Sequence, residues 1–250
     1  NAIAKTIRWS LVRGEILGRS KLPLFEKTQV KEFSYLNEWD AKRLISNQNI
    51  TIPKGIKSSN TGIVQKASEL RYPLVVKLLN KALLHKTEYG AVQINVEDKF
   101  QLEESVQKIK YNMKQHPKKY YTDCFLVEEM MPRPICEMIV GIKRDEHFGL
   151  SITFGSGGIF ADLFDDYSLT LLPAGRNEIL QKIMDLKIGK LLRGFRGKEG
   201  INMDRILDAI ELLISFVEKS TPLIVELEIN PLFIFEDKVV AIDALLARQI

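Results

Sequence analysis

The stretch Glu226-Leu227-Glu228-Ile229-Asn230-Pro231-Leu232-Phe233, followed by Val239-Val240-Ala241-Ile242 and then Asp243, decides how this chain is read. Side chains alternate faces along a strand, so Glu226, Glu228 and Asn230 share one face. Pro231 is expected to end that pairing, and Asp243 sits on a strand able to return beside it. Hard oxygen ligands converging from two adjacent strands suit Mg²⁺ carrying nucleotide phosphates. A solvated sheet face bearing three acids is the plainer alternative.

The chain has 250 residues, 45% hydrophobic and 27% charged, which is the balance of a globular protein with room for one large domain or two lobes. Net charge is +4 and the pI is near 8.9, with Lys and Arg spread along the length. Anionic ligands such as nucleotide or CoA account for that balance as well as nucleic acid does, and no nucleic-acid-binding motif is visible. Cys124 and Cys136 lie in apolar, strand-like runs and read as small core residues, which fits a reducing, cytoplasmic compartment. No apolar run approaches the ~20 residues that span a bilayer, and there is no secretory signal pattern, so no membrane association is expected.

Residues 1–35 read as an N-terminal extension or linker, broken by Gly14, Gly18 and Pro23. A first lobe is expected over 36–131 and a second over 132–250. In the first, the pattern predicts a helix over 35–47 with Leu36, Trp39 or Asp40, and Leu44 on one face. A short strand over 50–54, a helix over 62–70 capped by Thr61, and strands over 72–79 and 91–96 follow. Asn95 and Asp98 are spaced as a capping box ahead of a helix whose Leu102, Val106, Ile109 and Met113 form an apolar stripe. A strand over 124–131 bends at Pro132 and Pro134, and strands over 136–142 and 148–154 pair as a hairpin. Further helices centre on Ile179, Ile183 and Leu186, and on Ile206, Ile210, Leu213 and Val217. Antiparallel groups of strands separated by helices favour α+β lobes over a doubly wound sheet.

Five segments carry candidate chemistry. Lys77 stands inside the apolar run Val75-Val76-Lys77-Leu78-Leu79, where its ammonium needs an anionic partner such as phosphate, or an edge from which to snorkel. Phe154-Gly155-Ser156-Gly157-Gly158-Ile159-Phe160 follows a strand, and its glycines allow backbone amides to approach an anion. It is neither a Walker loop nor a dinucleotide fingerprint. Cys124 to Pro132 reads as a strand running into a kinked connection, able to present backbone groups and methionines to adenine, or simply as a buried strand. Glu137, with Cys136 and Met138 facing the other way, suits ribose hydroxyls or an ion pair with Lys143 or Arg144. His85 is flanked by Lys81 and Lys86, cations that favour the neutral imidazole a nucleophile needs and that attract a phosphoryl group. Taken alone, it also reads as an ordinary surface histidine, as His116 and His147 do.

Taken in order, the runs Tyr72-Pro73-Leu74-Val75-Val76-Lys77, Leu83-Leu84-His85-Lys86, Glu137-Met138-Ile139-Val140-Gly141, Gly157-Gly158-Ile159-Phe160, Gly194-Phe195-Arg196-Gly197, Glu228-Ile229-Asn230-Pro231-Leu232 and Ala241-Ile242-Asp243 resemble a known family. That family is the nucleotide-binding subunit of the NDP-forming acyl-CoA synthetases, ATP-grasp proteins related to succinyl-CoA synthetase. The resemblance covers about Leu36 to Asp243 and implies an α+β ATP-grasp fold whose two lobes clamp Mg²⁺ and ATP or ADP. It implies Lys77 on nucleotide phosphate, Glu129, Met130 and Met131 at adenine, and Glu137 at ribose. Gly155, Gly157 and Gly158 would meet the moving phosphoryl group, Arg196 would join the nucleotide set, and Glu228, Asn230 and Asp243 would hold Mg²⁺. His85 would be a second phosphohistidine, charged by a first one on a CoA-binding α subunit or preceding domain, in an α2β2 assembly.

The chain departs from the family at Ala91 after Gly90, at Asp162, at Glu228 and at Thr170. These departures touch the phosphoryl pocket and remove none of the residues named above. A different ATP-grasp carboxylate ligase, a non-catalytic Mg-ATP-binding module and a structural subunit are the alternatives. The His85-Lys86 pair at its spacing from Lys77 favours the relay.

Overall fold

Two antiparallel sheets divide the molecule, and the chain visits the larger one first. The computed structural model describes residues 32–158, 166–194, 200–221 and 223–250. Strand β1 (Phe33–Tyr35) leads into helix α1 (Glu38–Ser46), whose first turn is closed by Asn37, its side-chain oxygen accepting from Asp40 N at 3.1 Å. The chain then builds the smaller sheet from β2 (Gly55–Ser59), β3 (Leu74–Leu78), β4 (Val92–Val96) and β5 (Cys124–Glu129), in the order β2-β5-β3-β4. Helices α2 (Ile63–Ala67) and α3 (Lys99–Met113) cover one face of it.

The chain returns through β6 (Cys136–Asp145), β7 (Gly149–Ser156) and β8 (Tyr167–Leu171). It passes through α4 (Arg176–Met184), α5 (Gly189–Leu192) and α6 (Met203–Lys219). It closes with β9 (Ile224–Ile234), β10 (Val239–Ala241) and β11 (Ala244–Gln249). The large sheet runs β1-β11-β9-β6-β7-β8, with β10 also paired to β9.

Each sheet packs one face on a helical core, and the centre of the smaller sheet's other face, with Lys77, Leu126 and Glu128, is buried as well. Leu102, Val106, Ile109 and Met113 of α3 join Leu74, Val76, Leu78, Phe125 and Val127 in the smaller core. Ile206, Ile210, Leu213 and Val217 of α6 join Met138, Val140, Ile142, Leu227 and Ile229 in the larger one. Each fully buried Leu or Ile contributes about 1.5–3 kcal/mol relative to exposure. The opposite face of the large sheet, with Glu226, Glu228 and Gly141, lines a cleft.

Several local expectations shift. The strand expected over 50–54 begins at Gly55 instead, after Pro53, which has no N–H to give a ladder. Gly55 lies so close to β5 that a Cβ there would sit 2.9 Å from Val127 O, which is why the pairing opens on glycine. Helix α2 starts from Gly62 at φ 84 with no side-chain cap, so Thr61 is not its cap. Asp98 caps α3 alone, its Oδ1 accepting from Phe100 N and Gln101 N at 2.8 and 2.9 Å, and Asn95 stays in β4. Pro231 does not end β9: it marks where the partner changes, β11 pairing over 224–229 and β10 over 232–234. Strand β1 and helix α1 pack with the large sheet, whereas the sequence reading grouped 36–54 with the first lobe. The reason is α1 itself, whose buried face is Glu38, Ala41, Lys42 and Ile45 rather than the stripe through Trp39. His116 is not simply solvated, since its ring packs edge-on against Tyr89 with centroids 4.9 Å apart.

Candidate functional site

The connection after β3 presents a histidine. Asn80 turns it, its side-chain oxygen accepting from Ala82 N at 2.8 Å, and Leu83 plugs into the smaller core. Lys86 points inward, with its carbonyl accepting from Ala91 N at 2.9 Å. His85, between those two anchors, has a side chain 75% exposed, with Nδ1 3.8 Å from Glu88 Oε1. It borders two clefts. One of about 370 Å³ is lined by Glu38, Leu83, Lys86, Glu228, Asn230 and Asp243 among others. The other, of about 420 Å³, lies over the open face of the large sheet and includes Gly141, Lys143, Gly158, Glu226, Glu228 and Asn230.

Strand pairing assembles the oxygen donors. Alternation along β9 puts Leu227 and Ile229 in the core and Glu226, Glu228 and Asn230 on the cleft face. Asn230 N donates to Asp243 O at 3.3 Å and Ile242 N to Pro231 O at 3.0 Å, so the turn between β10 and β11 sets Asp243 beside Asn230. Burial raises the Glu228 carboxyl above its ordinary range, with Asn230 and His85 pulling the other way. Tyr35 OH donates to Glu226 Oε2 at 2.9 Å; burial, then that carboxylate, push its pKa up to about 12. Among the described residues, no three His, Cys, Asp or Glu side chains gather at metal-binding range. A hard cation at Glu228, Asn230 and Asp243 would therefore complete its shell with water or phosphate oxygens, the usual habit of Mg²⁺. The side chain of Asp243 is one-third exposed and able to take part, so the donor set fits.

Beneath the cleft lies a buried ionic cluster. Lys77 Nζ donates to Glu38 Oε1 at 2.5 Å and Ile242 O at 3.0 Å, and pairs with Glu128 Oε2 at 3.3 Å. Lys42 Nζ reaches Glu128 Oε1 at 2.5 Å, Ile242 O at 2.7 Å and Glu38 Oε1 at 3.4 Å. Lys86 Nζ lies 3.0 Å from Glu38 Oε2 and 3.2 and 3.4 Å from the two Asp243 oxygens. Glu38 Oε2 makes that ion pair without an aligned hydrogen bond. Burial alone would raise the Glu38 carboxyl, but Lys77, Lys86 and Lys42 outweigh it and hold its pKa well below the carboxylate range. Burial likewise lowers Lys77 and Lys86, and their acids outweigh it: Glu38, Glu128 and Asp243 raise Lys77, Glu38 and Asp243 raise Lys86.

The residues singled out from sequence thus fall into separate places. His85, Glu228, Asn230 and Asp243 share the first cleft. Lys77 lies behind it, its three ammonium donors matched by three acceptors, and lines neither cleft. Glu129 ends β5 and Met130 and Met131 follow it, with Glu129 N bonded to Lys54 O and Met130 N to Pro73 O. Glu137 on β6 is half-buried and raised by burial, with Arg133 opposing. Its carbonyl accepts from Gly157 N at 2.8 Å, and its carboxylate packs on Gly158, which adopts φ +63. Gly155 crowds Tyr167 across the pairing with β8. Arg196 and Asp162 lie outside the described residues.

Sequence reasoning missed Glu38, Lys42 and Glu128. Glu38 and Lys42 occupy positions i and i+4 of the buried α1 face, with Ala41 and Ile45 at i+3 and i+7. Charges on an apolar stripe are the signal that marks them. Glu128 opposes Val75, so it stands diagonal to Lys77 across β3 and β5.

A model of the ATP-grasp domain matches residues 28–247. The chain belongs to the ATP-grasp family. Within that family it groups with the ADP-forming acid–CoA ligases. It is 30% identical over 210 residues to "Acetate--CoA ligase [ADP-forming] I subunit beta" of Pyrococcus furiosus, covering 84% of this chain and 90% of that one. It is 31% identical over 218 residues to "Acetate--CoA ligase [ADP-forming]" of Methanocaldococcus jannaschii, covering 85% of this chain but 30% of that longer one. Among solved structures, acetyl-coenzyme A synthetase 1 of Ca. Korarchaeum cryptofilum, in complex with coenzyme A and Ca-AMPCP, superposes with a TM-score of 0.78 at 27% identity. That match covers 96% of this ATP-grasp chain and 99% of its counterpart. No helix of the described residues is long and apolar enough to cross a membrane.

Proposed function

We propose that this chain is the nucleotide-binding subunit of an ADP-forming acyl-CoA synthetase, which converts acyl-CoA, ADP and phosphate to carboxylate, CoA and ATP. The observation that carries this reading is His85, held between two buried anchors yet exposed, on a cleft that Glu228, Asn230 and Asp243 also line. The ADP-forming ligase β subunits to which the chain is similar support it. So does the Ca. Korarchaeum enzyme, described with Mg-AMPPCP and a "phosphohistidine segment pointing towards nucleotide binding site".

In this reading the lone pair of the neutral His85 imidazole attacks phosphorus. An N–P bond forms as the donor histidine's N–P bond breaks, and the second ring nitrogen keeps its proton. A terminal oxygen of ADP then attacks, and the electron pair returns to the imidazole. Histidine suits both directions because it is a competent nucleophile and leaving group. Positioning and charge neutralisation supply most of the rate. Gly155, Gly157 and Gly158 offer close backbone approach, Glu137 takes ribose, and Glu129 to Met131 border adenine. Lys77, whose donors are matched by Glu38, Glu128 and Ile242 O, organises the ionic cluster behind the phosphates, and Arg196 joins the nucleotide set. Bound at Glu228, Asn230 and Asp243, Mg²⁺ would neutralise phosphate charge. The first phosphohistidine and the CoA site belong to a partner α subunit or preceding domain, in a cytoplasmic α2β2 assembly.

The test is to incubate the protein with γ-labelled ATP and Mg²⁺ and map acid-labile, base-stable label. Label on His85, absent in His85→Ala while ADP binding persists, supports the relay. ADP binding without label, or turnover retained in His85→Ala, would sink it.

A further inference from the structure

Lys86 follows His85 directly and, of the three clustered lysines, is the one that lines the cleft. Lys42 and Lys77 each bind Ile242 O and two glutamates. Lys86 instead leans on Asp243, 3.2 and 3.4 Å from its oxygens, and on Glu38 Oε2 at 3.0 Å. Glu38, Glu128 and Asp243 balance Lys42, Lys77 and Lys86, so the cluster is neutral when all are ionised. A divalent cation arriving at Asp243 adds two charges and claims one of the two carboxylates that hold Lys86, leaving it Glu38 alone. Two cations a few ångströms apart repel strongly where water is scarce. Ammonium and metal therefore compete for one carboxylate.

We propose that Lys86 is a built-in counter-ion for Asp243, displaced when a divalent cation binds, and that the freed ammonium then faces the phosphoryl group at the adjoining His85. Cation arrival and the placing of positive charge beside the nucleophile become one event. The identity of the phosphoryl acceptor rests on the reading above; the competition at Asp243 does not.

The test compares Mn²⁺ binding to the nucleotide-free protein, followed by the electron paramagnetic resonance signal of free Mn²⁺, in wild type, Lys86→Met and Lys86→Arg. Lys86→Met is expected to bind Mn²⁺ about tenfold more tightly, through loss of a competing charge, and Lys86→Arg like wild type. Labelling of His85 from ATP is expected to fall at least tenfold in Lys86→Met. A residue that only supported the fold would weaken both readouts together. Unchanged or weaker Mn²⁺ binding in Lys86→Met overturns the competition, and undiminished labelling overturns the second role. If Lys86→Met does not fold, the wild type decides. Mg²⁺ should raise acetylation of Lys86 severalfold relative to Lys77, whose acceptors exclude the Asp243 carboxylate, and an unchanged ratio overturns the proposal. Absence of label in wild type would remove the relay and leave the Mn²⁺ comparison standing.

Discussion

Replacing Glu38 by Gln keeps the shape of the side chain and deletes one charge from a buried cluster. The carboxylate it removes touches three ammonium groups, those of Lys42, Lys77 and Lys86. Gln cannot balance them, and Glu128 and Asp243 alone leave the cluster one positive charge in excess. Removing one partner from a buried ion pair costs about 3–5 kcal/mol, because the other is left uncompensated. The same range is expected for Glu38→Gln, read as a shift of the urea midpoint at constant slope. At about 2–4 °C per kcal/mol for a chain of this size, the melting temperature drops by roughly 6–20 °C. A second signature comes from acid. The Glu38 pKa is depressed in the folded protein, so its stabilisation is complete above its ordinary value of 4.5 and fades as pH falls toward the folded value. The gap between wild type and variant should therefore close below pH 4.5. A loss under about 1 kcal/mol at neutral pH, or a gap that persists undiminished into acid, would refute the claim that this carboxylate organises the lysines.

At the alkaline end the sign reverses. The Lys77 and Lys86 pKa values are raised on folding, so their contribution is whole below the ordinary 10.5 and drains away as pH climbs past it, giving a stability plateau bounded by Glu38 in acid and the lysines in base. Pulse-proteolysis across pH checks for those two edges. Gly158→Ala places a methyl into the Glu137 carboxyl, whose Cδ would be 2.7 Å away, at a φ of +63. The left-handed backbone alone costs about 1–2 kcal/mol for an L-residue, and calorimetry should find weakened ADP binding through the displaced Glu137.

What the sequence made legible follows from periodicity. The apolar stripe of α3, the alternation of β9 and the hairpin of β6 with β7 each declare themselves within one segment. The cleft face of Glu228 and Asn230 was readable because Leu227 and Ile229 occupy the intervening positions. The ionic cluster was not, since its members come from α1, β3, the following loop, β5 and the β10–β11 turn. A buried lysine announces that it needs an acid, as Lys77 did, but not which one. That choice between phosphate and Glu38 is made by tertiary proximity. The partner switch at Pro231 escaped for the same reason: a proline that reads as a terminator from one neighbour's side is a handover point when two strands share the other.

The pairing of β1 with β11 has a consequence for the chain as a thread. Phe33 stands opposite Gln249, and Ile250 N donates to Glu32 O at 3.0 Å, so the described stretch forms a nearly closed circuit. The smaller sheet is a detour, left after α1 and rejoined before β6. A short bridge from 250 to 32 would make a circular permutant with new ends opened in an exposed turn such as Glu146-His147, without unpairing a strand. Segments that enter at 32 and leave at 250 do so at one and the same edge, so the described stretch can be spliced into a longer polypeptide at little geometric cost.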